Sequence, residues 1–308
     1  MEDLFCSQVS KQVGEQLFGT AVANIKIWFL LEYNRPWQAK ATDDNELSTA
    51  VQSWLREQME LVGNARLQFI RQHKASPTLS FFIALPEDGR LYRFELDEYE
   101  DLFMLDIAAI VGGAAQYESF QWSKPLYLVC TNGKRDRCCA LWGAAFFRAL
   151  QPLAGTAVWQ TTHLGGHRFA PTMLTLPDGL MHGRLSVENV AEFLSAWQQG
   201  KIILDNYRGQ ARYEPVVQAA DYFLRRETGE TATSAFSYVS HQNGTGSEWC
   251  VQFADHGGAV HEVIVGVETA VPENLFASCG KPQVKPVSQY TYLAHSVMRL
   301  HHFTDHPI

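Results

Sequence analysis

The chain predicts an α/β (α+β) protein: two tandem lobes of mixed sheet flanked by helices, followed by a small β-rich C-terminal region. Three observations predict it. Short apolar runs rich in Ile, Phe, Trp and Leu alternate with stretches of helical period as far as Gly200. A strand–turn–strand–helix unit occurs twice, as FFIALPEDGRLYRFELDEYEDLFML (81–105) and PTMLTLPDGLMHGRLSVENVAEFLS (171–195). Beyond Gly200 the pattern shifts to strands separated by Gly-bearing turns. With 308 residues, 46% of them hydrophobic, the chain can bury several cores and divide into two or three domains.

The first lobe, 1–118, opens with a strand at 25–33 that Asn34-Arg35-Pro36 interrupts. Val51, Trp54, Leu55, Met59 and Val62 recur at helical spacing and predict a helix over 47–62. Strands follow at 66–71, 79–85 and 91–95, the last two joined by Pro86-Glu87-Asp88-Gly89. A helix from Asp97 to Val111 ends at two glycines.

The second lobe, 119–200, repeats much of that order. A buried strand at 126–130 leads to a helix at 138–150 and a strand at 157–161. A hairpin then joins 172–176 to 181–185 across Pro177-Asp178-Gly179-Leu180. Ser186 is placed to cap a helix over 187–197. Strand, helix, strand, hairpin and helix are the thioredoxin-like order less one crossover helix. HLGGHRFAP, between Thr162 and Pro171, stands in its place and reads as a loop. In the third region, 201–308, Tyr207-Arg208-Gly209 reads as a connector and 215–226 as a helix. Strands at 236–239, 249–253 and 260–267 turn at Asn243-Gly244 and His256-Gly257-Gly258. From Ala270 onward the pattern is weak, and His295, His301, His302 and His306 form no recognisable ligand set.

Charge and composition exclude several functions. A formal charge of −8, from 33 acidic against 25 basic residues, argues against gripping a phosphate backbone, so no nucleic-acid partner is expected. No apolar run is long enough to span a bilayer, and the N-terminus lacks a basic leader followed by an apolar core. No membrane insertion is expected. Six cysteines in so long a chain are too sparse for a disulfide scaffold, and cytoplasmic residence with reduced or metal-bound thiols is the expectation.

The chemistry concentrates in the second lobe. Cys130, Cys138 and Cys139 are followed by His163 and His167, a supply of thiolates and imidazoles suited to zinc, copper, iron or an iron–sulfur cluster. Cys130 alone reads equally as a core thiol, and a lone pair of histidines reads as surface. Gly165 and Gly166 between the histidines change that reading, because they let the loop fold tightly around a bulky group. Adjacent Cys138 and Cys139 do not readily serve one ion, so one is a ligand and the other packs. Zinc sites usually show tighter cysteine spacing, and Rieske sites pair a cysteine with a histidine on each of two loops. Spacing alone leaves zinc and iron–sulfur open. A redox dithiol lacks the usual Cys-x-x-Cys. No carboxylate pair suits glycoside hydrolysis.

CTNGKRDRCCALWG (130–143) together with VWQTTHLGGHRFAPTMLTLPDGLMHGRL (158–185) resembles the sucrase/ferredoxin-like family of thioredoxin-like ferredoxin proteins. The resemblance takes in LFGTA (17–21), Glu32, Trp37, YRG (207–209) and the helix after Pro215. It implies a [2Fe–2S] cluster held by Cys130, Cys139, His163 and His167, with Cys138 a neighbour. The expected function is a one-electron carrier working between redox donor and acceptor proteins; no catalytic residue is picked out, and an enzyme with a substrate bound between the lobes stays open. The alternative is a zinc-stabilised thioredoxin-like binding module. Lys134, Arg135, Arg137 and Arg168, with Cys138, Gly165 and Gly166, are then expected to support the cluster or dock a partner.

Overall fold

The computed structural model describes residues 5–74, 76–271, 275–279, 281–284 and 286–299. Its centre is a nine-stranded mixed sheet. β1 (Ile27–Glu32), β2 (Ala65–Arg71), β3 (Leu79–Leu85) and β4 (Arg90–Leu96) form one half. β5 (Leu126–Cys130), β6 (Val158–Thr161), β7 (Met173–Leu176), β8 (Leu180–His182) and β9 (Tyr207–Gln210) form the other. The spatial order is β4-β3-β1-β2-β6-β5-β7-β8-β9. β1 runs parallel to β2 and antiparallel to β3, just as β5 runs parallel to β6 and antiparallel to β7. The hairpin repeat thus occupies matching places, and the halves meet where β2 pairs with β6 through Ile70–Thr161 and Arg71–Gln160.

Alternation along the strands divides the core. Ile27, Phe29 and Leu31 pack with Phe69, Phe81 and Ile83 under α2 (Thr49–Val62) and the short α3 (Ile107–Val111). Tyr127 and Val129 pack with Phe146, Phe147 and Phe193 under α4 (Ala144–Ala154) and α5 (Val190–Gln198). The intervening residues Trp28, Leu30, Phe82, Leu128, Trp159 and Leu174 make a third core common to both halves, and Cys130 and Cys139 belong to it. Each fully buried large apolar side chain here contributes about 1.5–3 kcal/mol.

Several elements differ from the sequence expectation. The helix expected over 97–111 is broken: a 3₁₀ segment at Tyr99–Met104 ends at extended Leu105, and Asp106 restarts the chain by accepting Ala109 N–H. Helix α5 begins only at Val190, because the Ser186 hydroxyl bonds Glu188 instead of the first helical turn. Tyr207-Arg208-Gly209 is the edge strand β9, paired with β8, and not a connector.

After β9, α6 (Pro215–Thr228) packs on an antiparallel sheet of β10 (Phe236–Asn243), β11 (Glu248–Asp255), β12 (Ala259–Ala270) and β15 (Val287–Arg299). The weakly patterned tail therefore holds a 13-residue strand. β13 (Phe276–Ser278) and β14 (Lys281–Val284) form a small separate pair. His295 stacks on His261, while His301, His302 and His306 lie outside the described residues. Among the described residues no helix is long and apolar enough to cross a membrane.

Candidate metal centre

Cys130 is the last residue of β5, where the shared core meets the end of the sheet. The chain leaves through a loop in which Asn132 anchors the Arg135 and Asp136 amides, then enters a π-helical turn at Cys139–Gly143. That turn comes so close to β5 that a Cβ on Gly143 would overlap the Cys130 carbonyl oxygen. The approach brings Cys139 back beside Cys130, with both thiols fully buried. π-turns of this kind concentrate at functional sites.

From the far side, β6 delivers HLGGH. Thr162 N–H and hydroxyl bond Phe69 of β2 at 3.0 and 3.1 Å, fixing the exit of the strand. His163 follows at once, its Nδ1 lying 3.8 Å from the sulfurs of both Cys130 and Cys139. The donor atoms of Cys130, Cys139 and His163 all fall within 4.8 Å of one another. Tetrahedral ligands at about 2.0–2.3 Å from a metal lie roughly 3.3–3.8 Å apart, so these donors can share a metal centre.

His167 stands beside this group, its ring 5.3 Å from that of His163. Its Nε2 meets the Ala277 carbonyl at 2.8 Å, while its Nδ1 is buried with no hydrogen-bond partner. His167 is not among the donors that fall within 4.8 Å of one another, but a buried nitrogen without a partner beside them is a polar group that calls for an explanation. Burial lowers the basicity of His167 despite Asp136 nearby, which favours the neutral imidazole that metals bind. The two thiols divide one proton: the hydrogen bond from Cys139, with His163, carries Cys130 well below the ordinary thiol range, and the same bond with burial carries Cys139 up.

Two guanidinium groups flank the centre, half-buried Arg66 and buried Arg208, and sequence reasoning assigned neither to the site, although Arg208 stands in the YRG segment. Arg66 donates to the His163 carbonyl at 3.0 Å and lies over Trp28. Arg208, in β9, donates to Gly165 O, Thr20 Oγ1 and Thr20 O. Burial pushes the Arg208 pKa down to about 9, and Cys130 is among the groups that support its charge. A Cβ on Gly166, whose φ is +71°, would overlap this guanidinium. The LFGTA, HLGGH and YRG segments thus meet at one side chain; only a contact map, not spacing, could have joined them.

The other anticipated residues scatter. Arg135 lines a cleft of about 610 Å³ with Lys40, Arg56, Arg66 and His163, and Asp43 is also on its wall. Lys134 is exposed on the preceding turn. Arg137 lies over Phe5, and Arg168 turns away to pair with the buried Glu15. Cys138 points away from Cys130 and joins Cys6, Cys279 and Asp136 in a second group of donors. Two candidate metal-ligand clusters therefore sit side by side.

No curated protein and no solved structure matches the chain significantly. A family model described as sucrase/ferredoxin-like matches residues 17–209. The match begins in LFGTA and ends in YRG, so it encloses the ligand loops and the arginine that ties them together. It spans more than half of the chain, which belongs to the sucrase/ferredoxin-like family.

Proposed function

We propose that this protein is a one-electron carrier whose [2Fe–2S] cluster is held by Cys130, Cys139, His163 and His167. The observation that carries the reading is the buried meeting of Cys130, Cys139 and His163 beside the partnerless Nδ1 of His167. Such a cluster, when bound, cycles between two oxidation states, and imidazole in place of thiolate raises its potential above that of an all-cysteine ferredoxin.

The chain's own residues do the rest. The Ala277 carbonyl holds the proton of His167 at Nε2 and leaves Nδ1 as the ligating nitrogen. Arg66 and Arg208 supply positive charge against the negative charge of thiolates, and they hold the start and the middle of HLGGH through the His163 and Gly165 carbonyls. The shared apolar core excludes water from the sulfurs. His163 borders the cleft of Lys40, Arg56 and Arg135, which makes that mouth the docking face for acidic redox donor and acceptor proteins. We place the protein in the cytoplasm, where its six unbridged cysteines stay reduced.

Anaerobic purification followed by a visible spectrum and iron, sulfide and zinc analysis tests the reading. Two irons and two sulfides per chain, lost in Cys130→Ser and His163→Ala, support it. A zinc-stabilised binding module is the second reading, because three donors within 4.8 Å suit a single tetrahedral ion. A colourless protein whose zinc disappears in Cys130→Ser/Cys139→Ser establishes that module instead.

A further inference from the structure

The second donor group lies outside the machinery described so far. Cys6 comes from α1 (Cys6–Gln12), Cys138 from the turn before Cys139, and Cys279 from the residue after β13. Their sulfurs form a nearly equilateral triangle: Cys6 to Cys138 is 3.5 Å, Cys138 to Cys279 is 3.4 Å, and Cys279 to Cys6 is 3.6 Å. The Asp136 carboxylate sits against it, 3.8 and 3.9 Å from the Cys6 sulfur. Cys6, Cys138 and Asp136 are buried, and Cys279 is half-buried.

Three readings compete for such a triangle. A disulfide joins two sulfurs at about 2.05 Å and leaves the third idle, which equal edges do not prefigure. A cubane-type cluster puts each thiolate on its own iron, and a [2Fe–2S] cluster takes only two protein ligands per iron, so either one spreads three sulfurs wider than these. A single tetrahedral ion with sulfur at about 2.3 Å sets its ligands roughly 3.8 Å apart, close to every edge here and to the carboxylate as well. We propose that Cys6, Cys138, Cys279 and Asp136 bind one zinc ion, as a structural site separate from the centre at Cys130 and Cys139.

Three thiolates and a carboxylate are a closed donor set with no position left for a substrate, which suits a structural ion. Asp136 is already oriented by the amides of Cys138 at 2.8 Å and Cys279 at 3.0 Å. Cys6 and Cys279 both lie beyond residues 17–209, so the family core contributes only Cys138 and Asp136. The ion therefore straps the N-terminal helix and the C-terminal segment onto that core. Ala277, which holds His167, lies two residues before Cys279, so the strap also steadies that histidine.

The test uses the full chain expressed with added zinc and purified under reductant. Zinc, iron and sulfide are counted in the wild type, in Cys130→Ser/Cys139→Ser and in Cys6→Ser/Cys279→Ser. The expected result is about one zinc per chain that persists in the first variant and falls at least tenfold in the second. Zinc-edge X-ray absorption on Cys130→Ser/Cys139→Ser should show three sulfur neighbours and one oxygen, a readout that stands even if the other variant does not fold. Loss of zinc from Cys130→Ser/Cys139→Ser, a nitrogen-containing shell, or a metal-free protein with a disulfide among Cys6, Cys138 and Cys279 overturns the proposal. Iron and sulfide in the wild type report separately on the electron-transfer reading.

Discussion

Cys138 and Cys139 are chain neighbours whose sulfurs serve different groups, and the difference is set by one residue of turn. Cys139→Ser is expected to abolish iron retention, whereas Cys138→Ser should keep the iron and lose the zinc; metal analysis of both variants checks the assignment. Sequence offered the pair but not the direction of either side chain. Cys6 and Cys279 were invisible as ligands because they stand 132 and 141 positions from Cys138, and only tertiary folding makes them neighbours. His182 carries a second residue-level prediction. Fully buried against Trp197, it has a pKa lowered to about 3 by desolvation and by Arg208. The unfolded chain, titrating near 6.5, binds the proton first, so stability falls as pH drops below about 6.5 and this loss is complete near pH 3. The contribution is at most roughly 4–5 kcal/mol. Urea unfolding at several pH values should show a shallower acid-side slope for His182→Asn than for the wild type.

At the scale of elements, the ligand geometry depends on two close approaches of backbone. In Gly143→Ala the new methyl must push the π-turn away from the Cys130 carbonyl, since backbone on both sides leaves it no room. A destabilisation of about 2–4 kcal/mol is expected, with metal loading falling alongside it, measurable by thermal unfolding and iron analysis. Gly166→Ala meets the Arg208 guanidinium in a left-handed backbone conformation and should cost about 1–3 kcal/mol. Strands with continuous apolar runs, such as β1 and β5, were legible because burial on both faces leaves no other reading. The 97–111 region was not. Its apolar spacing fits a helix, but the Asp106 side chain accepts the Ala109 N–H, caps a new start at Ile107 and divides it. β9 was missed for a related reason: YRGQ has no apolar periodicity, and it is buried because the Arg208 side chain donates to Gly165 O and the Gln210 side chain accepts from Arg212.

Across the whole molecule, the unit repeated in two hairpins occupies matching places in two halves of one sheet. What the sequence could not convey was that the halves share a core, because residues such as Trp28 and Leu128 face each other only once β2 and β6 are paired. The half without Cys/His ligands contributes Arg66 and most of the cleft wall, so it is a working part of the centre. Removing Arg66 charge should be felt at the cluster: Arg66→Gln is expected to shift the reduction potential in redox titration more than Lys134→Gln, whose side chain is exposed. We propose that the divisions at 118 and 200 mark evolutionary pieces more than separable folding units.

The seam between β2 and β6 has one more consequence. Each strand hides the other's hydrogen-bonding edge, and the pairing spans only two residue pairs. A fragment carrying the second half alone would uncover the edge at Gln160 and Thr161, together with Trp159, which loses Phe82, as a template for intermolecular pairing. Such a fragment should self-associate in a size-exclusion experiment while the intact chain does not do so through this edge. By this logic, the ligand-free half also acts as a built-in guard against aggregation, a duty that would preserve it long after any metal site of its own had gone.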